Sequence, residues 1–200
     1  MSNTASVRRC PTLQLLRPGA LLLVCFLATM VAPVALAQTR VEIRSASLAL
    51  DEGVYELDAG MDLELPEDAR KAIDAGLALR IDYDIRISRV RQYIPDAGIA
   101  SLVQSFEVSY HALSQRYLLR NMNTGEQQDY GTLDAALERV EEVRGLPVID
   151  AALVEEGPTY EVGVRAVLDM GTAPDALSWL LFWTDDWSTS SEWYSWTLRR

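Results

Sequence analysis

Between Val54 and Leu65 apolar and polar residues alternate with hardly a break. Tyr55, Leu57, Ala59, Met61, Leu63 and Leu65 fall on one side, Glu56, Asp58, Gly60, Asp62 and Glu64 on the other. From Leu77 to Ser88 the device recurs, with Leu77, Leu79, Ile81, Tyr83, Ile85 and Ile87 on one face and Arg80, Asp82, Asp84, Arg86 and Ser88 on the other. A period of two is the signature of a strand with one oily face. Two long strands of this kind need a second layer over that face, which restricts the chain to strand-rich layered folds.

The rest of the chain is punctuated accordingly. Val41–Leu50 reads as a first strand, turned into the second by Asp51-Glu52-Gly53. Pro66 opens a short helix with Glu67 and Asp68 in its first turn, where the helix dipole favours acids, and Gly76 closes it. The third strand runs from Leu77 as far as Tyr93, and Ile94–Ala100 is a loop. Leu102, Phe106, Val108 and Tyr110 mark a fourth strand; Leu113-Ser114-Gln115 tips a hairpin into Arg116–Arg120, and Asn121–Gly125 turns back into a short strand at Glu126–Tyr130. Thr132 caps a helix bearing Leu133, Leu137 and Val140 on one face, ended by Gly145 and Pro147. A strand follows Gly157-Pro158, a short helix spans Pro174–Phe182, and Trp187–Leu198 alternates once more. The fold expected is mainly β: an antiparallel immunoglobulin-like sandwich with two or three short helices. The helix between the two long strands also fits a parallel crossover, so an α+β layered mixed sheet stands as the alternative.

The first 37 residues read as a targeting segment. Arg8, Arg9 and Arg17 form a basic region, Ala20–Met30 is a short apolar core, and Ala35-Leu36-Ala37 offers small residues for cleavage before Gln38. The apolar run falls short of the ~20 residues of a membrane span, and an uncleaved anchor is the competing reading. The organisation is thus a signal peptide at 1–37 and a single β-rich domain at 38–200, placed in the periplasm, with no stable transmembrane segment after cleavage. Both cysteines, Cys10 and Cys25, leave with the signal, so no disulfide, thiol nucleophile or thiolate-bound metal is expected. The full chain carries a net charge of −11, and the signal removes three arginines but no acid. So acidic a surface, with no Lys/Arg run, repels phosphate backbones; nucleic acid is not expected as a partner.

Chemistry has few handles here. His111 is the chain's single histidine, on the polar side of its strand and with no Gly-x-Ser-x-Gly elbow elsewhere, so a nucleophilic triad is not indicated. Zinc lacks ligands, and Asp51-Glu52 and Asp185-Asp186 lack calcium-loop spacing. No catalytic residue, metal site or cofactor is therefore assigned. One concentration is unusual: all five tryptophans, Trp179, Trp183, Trp187, Trp193 and Trp196, lie beyond position 178, together with Tyr194. Trp179 and Trp183 share a helix face, and the last strand carries large aromatics on both sides. Such residues seal cores, and they are also favoured at interfaces. Trp187, Trp193, Tyr194 and Trp196, with His111, are accordingly the candidate binding residues.

Three stretches together resemble the DUF4390 family of exported proteobacterial proteins: Val41-Glu42-Ile43-Arg44, Ser109-Tyr110-His111-Ala112-Leu113-Ser114-Gln115-Arg116-Tyr117, and Trp187-Ser188-Thr189-Ser190-Ser191-Glu192-Trp193-Tyr194-Ser195-Trp196. The resemblance implies a signal peptide and a chromosomal neighbourhood that often includes a membrane sensor histidine kinase. It brings no defined catalytic or binding residues. The function expected is a non-catalytic interaction module of the cell envelope, partnered by an envelope or inner-membrane protein. Two alternatives stand beside it: a hydrolase of envelope glycans using two carboxylates, which calls for a cleft with at least one raised carboxyl pKa, and a small-ligand carrier, which calls for a cavity of roughly 300 Å³ or more.

Overall fold

A computed structural model describes residues 39–91, 97–171 and 188–200. The strands β1 (Arg40–Asp51) and β2 (Val54–Glu64) form a hairpin. Its two-residue loop puts Glu52 at φ 44° and Gly53 at φ 88°, the left-handed pair whose twist suits a tight hairpin. Helix α1 (Glu67–Asp74) then carries the chain to β3 (Leu79–Arg89). A meander follows: β4 (Ala97–His111), β5 (Arg116–Asn121) and β6 (Gln127–Tyr130), each antiparallel to the strand before it. Helix α2 (Leu133–Glu141), capped by Thr132 Oγ1 accepting from Ala135 N, runs directly into β7 (Glu142–Asp150). After a 3-10 turn at Ala151–Leu153 come β8 (Tyr160–Met170), β9 (Ser188–Ser190) and β10 (Tyr194–Leu198).

Two antiparallel sheets result, in a sandwich-like layout. The smaller has the order β1-β2-β7; the larger has the order β10-β8-β3-β4-β5-β6, with β9 also paired to β8. Because β2 and β3 lie in different sheets, α1 joins layers and is not a parallel crossover within one sheet, which removes the mixed-sheet alternative. The inward residues are those the alternation picks out. Leu57, Met61, Leu79, Ile81, Tyr83, Ile85, Val164 and Leu168 are fully buried in one cluster, to which α1 adds Ala69 and Ile73 and α2 adds Leu133, Ala136, Leu137 and Val140. A second cluster around Ile87, Val154, Tyr160 and Val162 closes the end near the hairpin. The small sheet covers only part of the large one, and α2 packs over β4, β5 and β6.

Three segments differ from the sequence reading. The fourth strand starts at Ala97, inside the expected loop, because Ala97–Ala100 pairs with Ile87–Arg89. The helix expected to end at Gly145 and Pro147 stops at Glu141, and Glu142–Asp150 is β7; Gly145 at φ 61° and Pro147 sit in it without harm because only β2 pairs with it. The last strand is interrupted between Ser190 and Tyr194, as described below. The helix expected at Pro174–Phe182 lies outside the described residues.

Tyr83 ties the layers together. Its phenol, buried under α2, donates to the Val140 carbonyl at 2.8 Å and so satisfies one of the acceptors left free where that helix ends. Burial, reinforced by the nearby Glu141 charge, pushes the phenol well above the ordinary tyrosine range, so it stays a donor. Tyr83→Phe keeps the ring but strands the carbonyl; it is expected to cost about 1–3 kcal/mol, read from urea unfolding, with no change of far-UV dichroism.

Candidate functional site: the outer face of the large sheet

The outer face of the large sheet is where the candidate residues and the unusual charges meet. On β3 the outward residues include Asp84 and Arg86, and on β8 they include Gly163 and Arg165. Register places Asp84 opposite Arg165 and Arg86 opposite Gly163. Asp84 is nearly buried although it lies on the open side of the sheet. Its Oδ2 accepts from Arg165 Nε at 3.1 Å and from Arg86 Nη2 at 3.3 Å, and Arg165 Nη2 stands 3.0 Å away.

The indole of Trp193 completes the cluster. The Arg86 and Arg165 guanidinium carbons stand 4.6 and 4.7 Å from its ring centre, within cation–π range of both. Trp193 reaches this position because Gly163 has no side chain: a Cβ there would lie 3.1 Å from Trp193 Cε3. A bulge sets the phase. β9 pairs Ser190 with Val167, whereas β10 pairs Tyr194 with Val164, so three residues span the space of two. Within the bulge Ser191 donates its N–H to the Ala166 carbonyl and accepts from Ala166 N on its Oγ, at 2.9 and 3.0 Å. Thr189, opposite buried Leu168, therefore faces inward, and Trp193 outward. The uninterrupted alternation expected for this strand puts those two on the same side; the bulge separates them.

The remaining candidates take other positions. Tyr194 and Trp196 lie opposite Val164 and Val162, on the inner side. Trp196 packs against both core clusters, while Tyr194 is 38% exposed with its ring 6.0 Å from that of Trp196. Trp187 lies outside the described residues, as do Trp179, Trp183 and Asp185-Asp186. His111 ends β4 at the hairpin tip, where its Nδ1 is 2.9 Å from Ser114 Oγ, and both side chains are exposed. That contact steadies a turn, and among the described residues no carboxylate reaches the ring. The sequence reading missed Asp84, Arg86, Gly163 and Arg165 as a group, because only strand register brings them together.

Elsewhere the surface offers shallow polar grooves. One of about 320 Å³ lies between α1, β5 and the start of α2, lined by Glu67, Arg70, Lys71, Asp74, Tyr117 and Asp134. Its cations are already paired, Arg70 with Asp134 at 2.6 Å and Lys71 with Glu67 at 3.5 Å. Tyr117 donates to Asp74 at 2.6 Å, and that hydrogen bond with partial burial pushes the phenol up to about 12. Another groove, about 310 Å³, lies on the outer face of the small sheet among Arg44, Ser47, Asp58, Gly60 and Arg144. Glu141 is a carboxyl pushed up, by burial first and by the Asp62 charge second, while a hydrogen bond from the Leu63 backbone pulls it down. It lies just before β7, whose pairing with β2 ends at Gly60. Among the described residues no group of three or more His, Cys, Asp or Glu side chains is placed to hold a metal, and no helix is long and apolar enough to cross a membrane.

The fold and this face define a two-sheet antiparallel β domain with an ionic, aromatic outer surface. The chain belongs to the family described as a domain of unknown function (DUF4390), whose model matches residues 38–197. No match is found among curated proteins or among solved structures.

Two outcomes check this geometry. Gly163→Ala is expected to destabilise by about 1 kcal/mol through overpacking against the indole, and to be neutral or stabilising once Trp193→Ala has cleared the space; a double-mutant cycle by urea unfolding reads the coupling. Because the folded-state pKa of Glu141 is raised, its favourable contribution is present below 4.5 and lost as pH rises through the folded value. Glu141→Gln, which mimics the protonated form, should therefore raise the melting temperature at pH 7, the gain closing as pH falls below that of a free carboxyl.

Proposed function

We propose that the chain is exported, loses residues 1–37 by cleavage between Ala37 and Gln38, and acts in the periplasm as a non-catalytic interaction module of the cell envelope. Export is supported by the basic region, short apolar core and Ala35-Leu36-Ala37 at the start of the sequence, and by the confinement of both cysteines to that segment. The docking surface in this reading is the outer face of the large sheet around Trp193. One observation carries it: two arginines and a tryptophan, residue types enriched at binding hot spots, are locked together on an open sheet face. The partner is an envelope or inner-membrane protein, a membrane sensor kinase being the one to which the family resemblance points. Chemistry on substrates finds less support, since burial and the neighbouring Asp62 charge account for the raised carboxyl of Glu141.

The test is a photoreactive group at exposed Val103, on the same face as Asp84, in the full chain expressed in cells that export it. The processed protein is expected to begin at Gln38 and to yield one recurrent envelope-protein adduct that Trp193→Ala abolishes. An unprocessed N-terminus overturns the export reading; a folded, processed protein that forms no adduct overturns the docking reading.

A further inference from the structure

The cluster around Trp193 also has a chemistry that selects its partner. Arg86 and Arg165 together carry ten N–H donors, and Asp84 engages only a few of them, all through Oδ2. The two side chains remain 57% and 31% exposed, so the unused donors open to solvent. With the indole beside both guanidiniums, their orientation is set before any ligand arrives. Around the cluster the same sheet face carries Asp82, Glu161 and Asp169 on β3 and β8, with Arg80 paired to Asp82 at 2.9 Å, in a chain of net charge −11. A polyanion such as a nucleic acid or an anionic bilayer meets that repulsion; a single carboxylate meets only the two arginines.

Apolar surface continues from the cluster. Val103 stands on β4 directly across from Asp84 and is 42% exposed. Met122, 43% exposed, follows in the turn that hydrogen-bonds to Ser105. Strand spacing of about 4.8 Å and a rise of about 3.4 Å per residue put Val103 roughly 10 Å from Arg165 and about 8 Å from Arg86, a span that alternate residues of an extended chain, ~7 Å apart, reach with their side chains.

We infer that the Arg86–Trp193–Arg165 cluster binds the carboxylate of an acidic side chain in an extended segment of the partner protein, with an apolar residue two positions away resting on Val103. This rests on the docking reading above and adds the ligand chemistry to it. Asp84 is then an internal competitor: it holds the guanidiniums in place and shares them with the incoming acid.

The probes are a fluorescein-labelled, end-blocked peptide of alternating valine and glutamate and its valine–lysine counterpart, titrated into the processed protein by fluorescence anisotropy. The glutamate peptide is expected to bind and the lysine peptide not to. Arg86→Gln and Arg165→Gln should each weaken binding by about tenfold or more, whereas Arg120→Gln, elsewhere on the face, should leave it unchanged. Asp84→Asn, which removes the competitor, should tighten binding several-fold, a gain that a merely disturbed fold does not produce. Failure of the glutamate peptide to bind, or binding by either arginine variant as tight as that of the unaltered protein, overturns the carboxylate assignment. If the cellular adduct at Val103 persists in that case, the docking reading survives and the ligand chemistry alone is wrong; if the adduct is also absent, both fall.

Discussion

The register of β3 is the constraint on which the rest of the structure depends. This strand is central in the large sheet, paired along its whole length to β8 on one side and β4 on the other. Its inner residues, from Leu79 to Ile87, are fully buried. A slip of one residue against its neighbours would carry Arg80, Asp82, Asp84 and Arg86 into the core, and unpaired buried charge costs far more than a strand can supply. The same register that protects the core places Asp84 against Arg165 and Arg86 against Gly163. The outer cluster is thus a geometric consequence of inner packing, and it inherits the rigidity of the most buried strand.

The strand edges show how a thiol-free domain limits the exposure of its backbone. β1 has a register shift between Ile43 and Ser45, β7 carries Gly145 and Pro147, and β6 is short and polar. Each device discourages a further strand from adding. The β9–β10 edge is handled differently: Ser191 lends its hydroxyl to Ala166 N where the bulge breaks the ladder, and Trp193 folds back across Gly163. One bulge therefore both ends regular pairing and turns an aromatic onto the outer face.

How much of this was legible in the sequence follows the kind of information each feature needs. Periodicity alone gives β2, β3 and β8, because a buried face writes itself into every second residue. Capping chemistry gives α1 and α2 through Pro66 and Thr132. β7 was hidden because Gly145 and Pro147 are turn residues in most settings, and only an edge position in the sheet makes them tolerable there. The bulge was hidden as well: Trp193 and Thr189 have the same parity, and nothing in Ser190-Ser191-Glu192 announces an extra residue. The cluster on the outer face depends on both features of register at once, strand against strand and bulge against β8. Counting along one strand shows Asp84 and Arg86 as ordinary outward charges; it does not show that they converge with Arg165 beneath an indole.

The energetics of that cluster argue that stability is not its main consequence. Partly desolvating Asp84 and two guanidiniums is a cost that their mutual attraction roughly offsets, so the net contribution of such a group is close to zero. Each cation–π contact at an exposed site adds only about 0.5–1 kcal/mol. A sheet face that needed nothing but cohesion is served as well by β-branched cross-strand pairs, which carry no desolvation cost. What the ionic arrangement supplies and a Val or Thr pair does not is a set of oriented donors whose side-chain freedom is already lost. A ligand that meets preorganised guanidiniums forgoes most of the entropy that two mobile arginines demand. In a chain of net charge −11, such donors suit a ligand that brings one negative charge better than one that brings many.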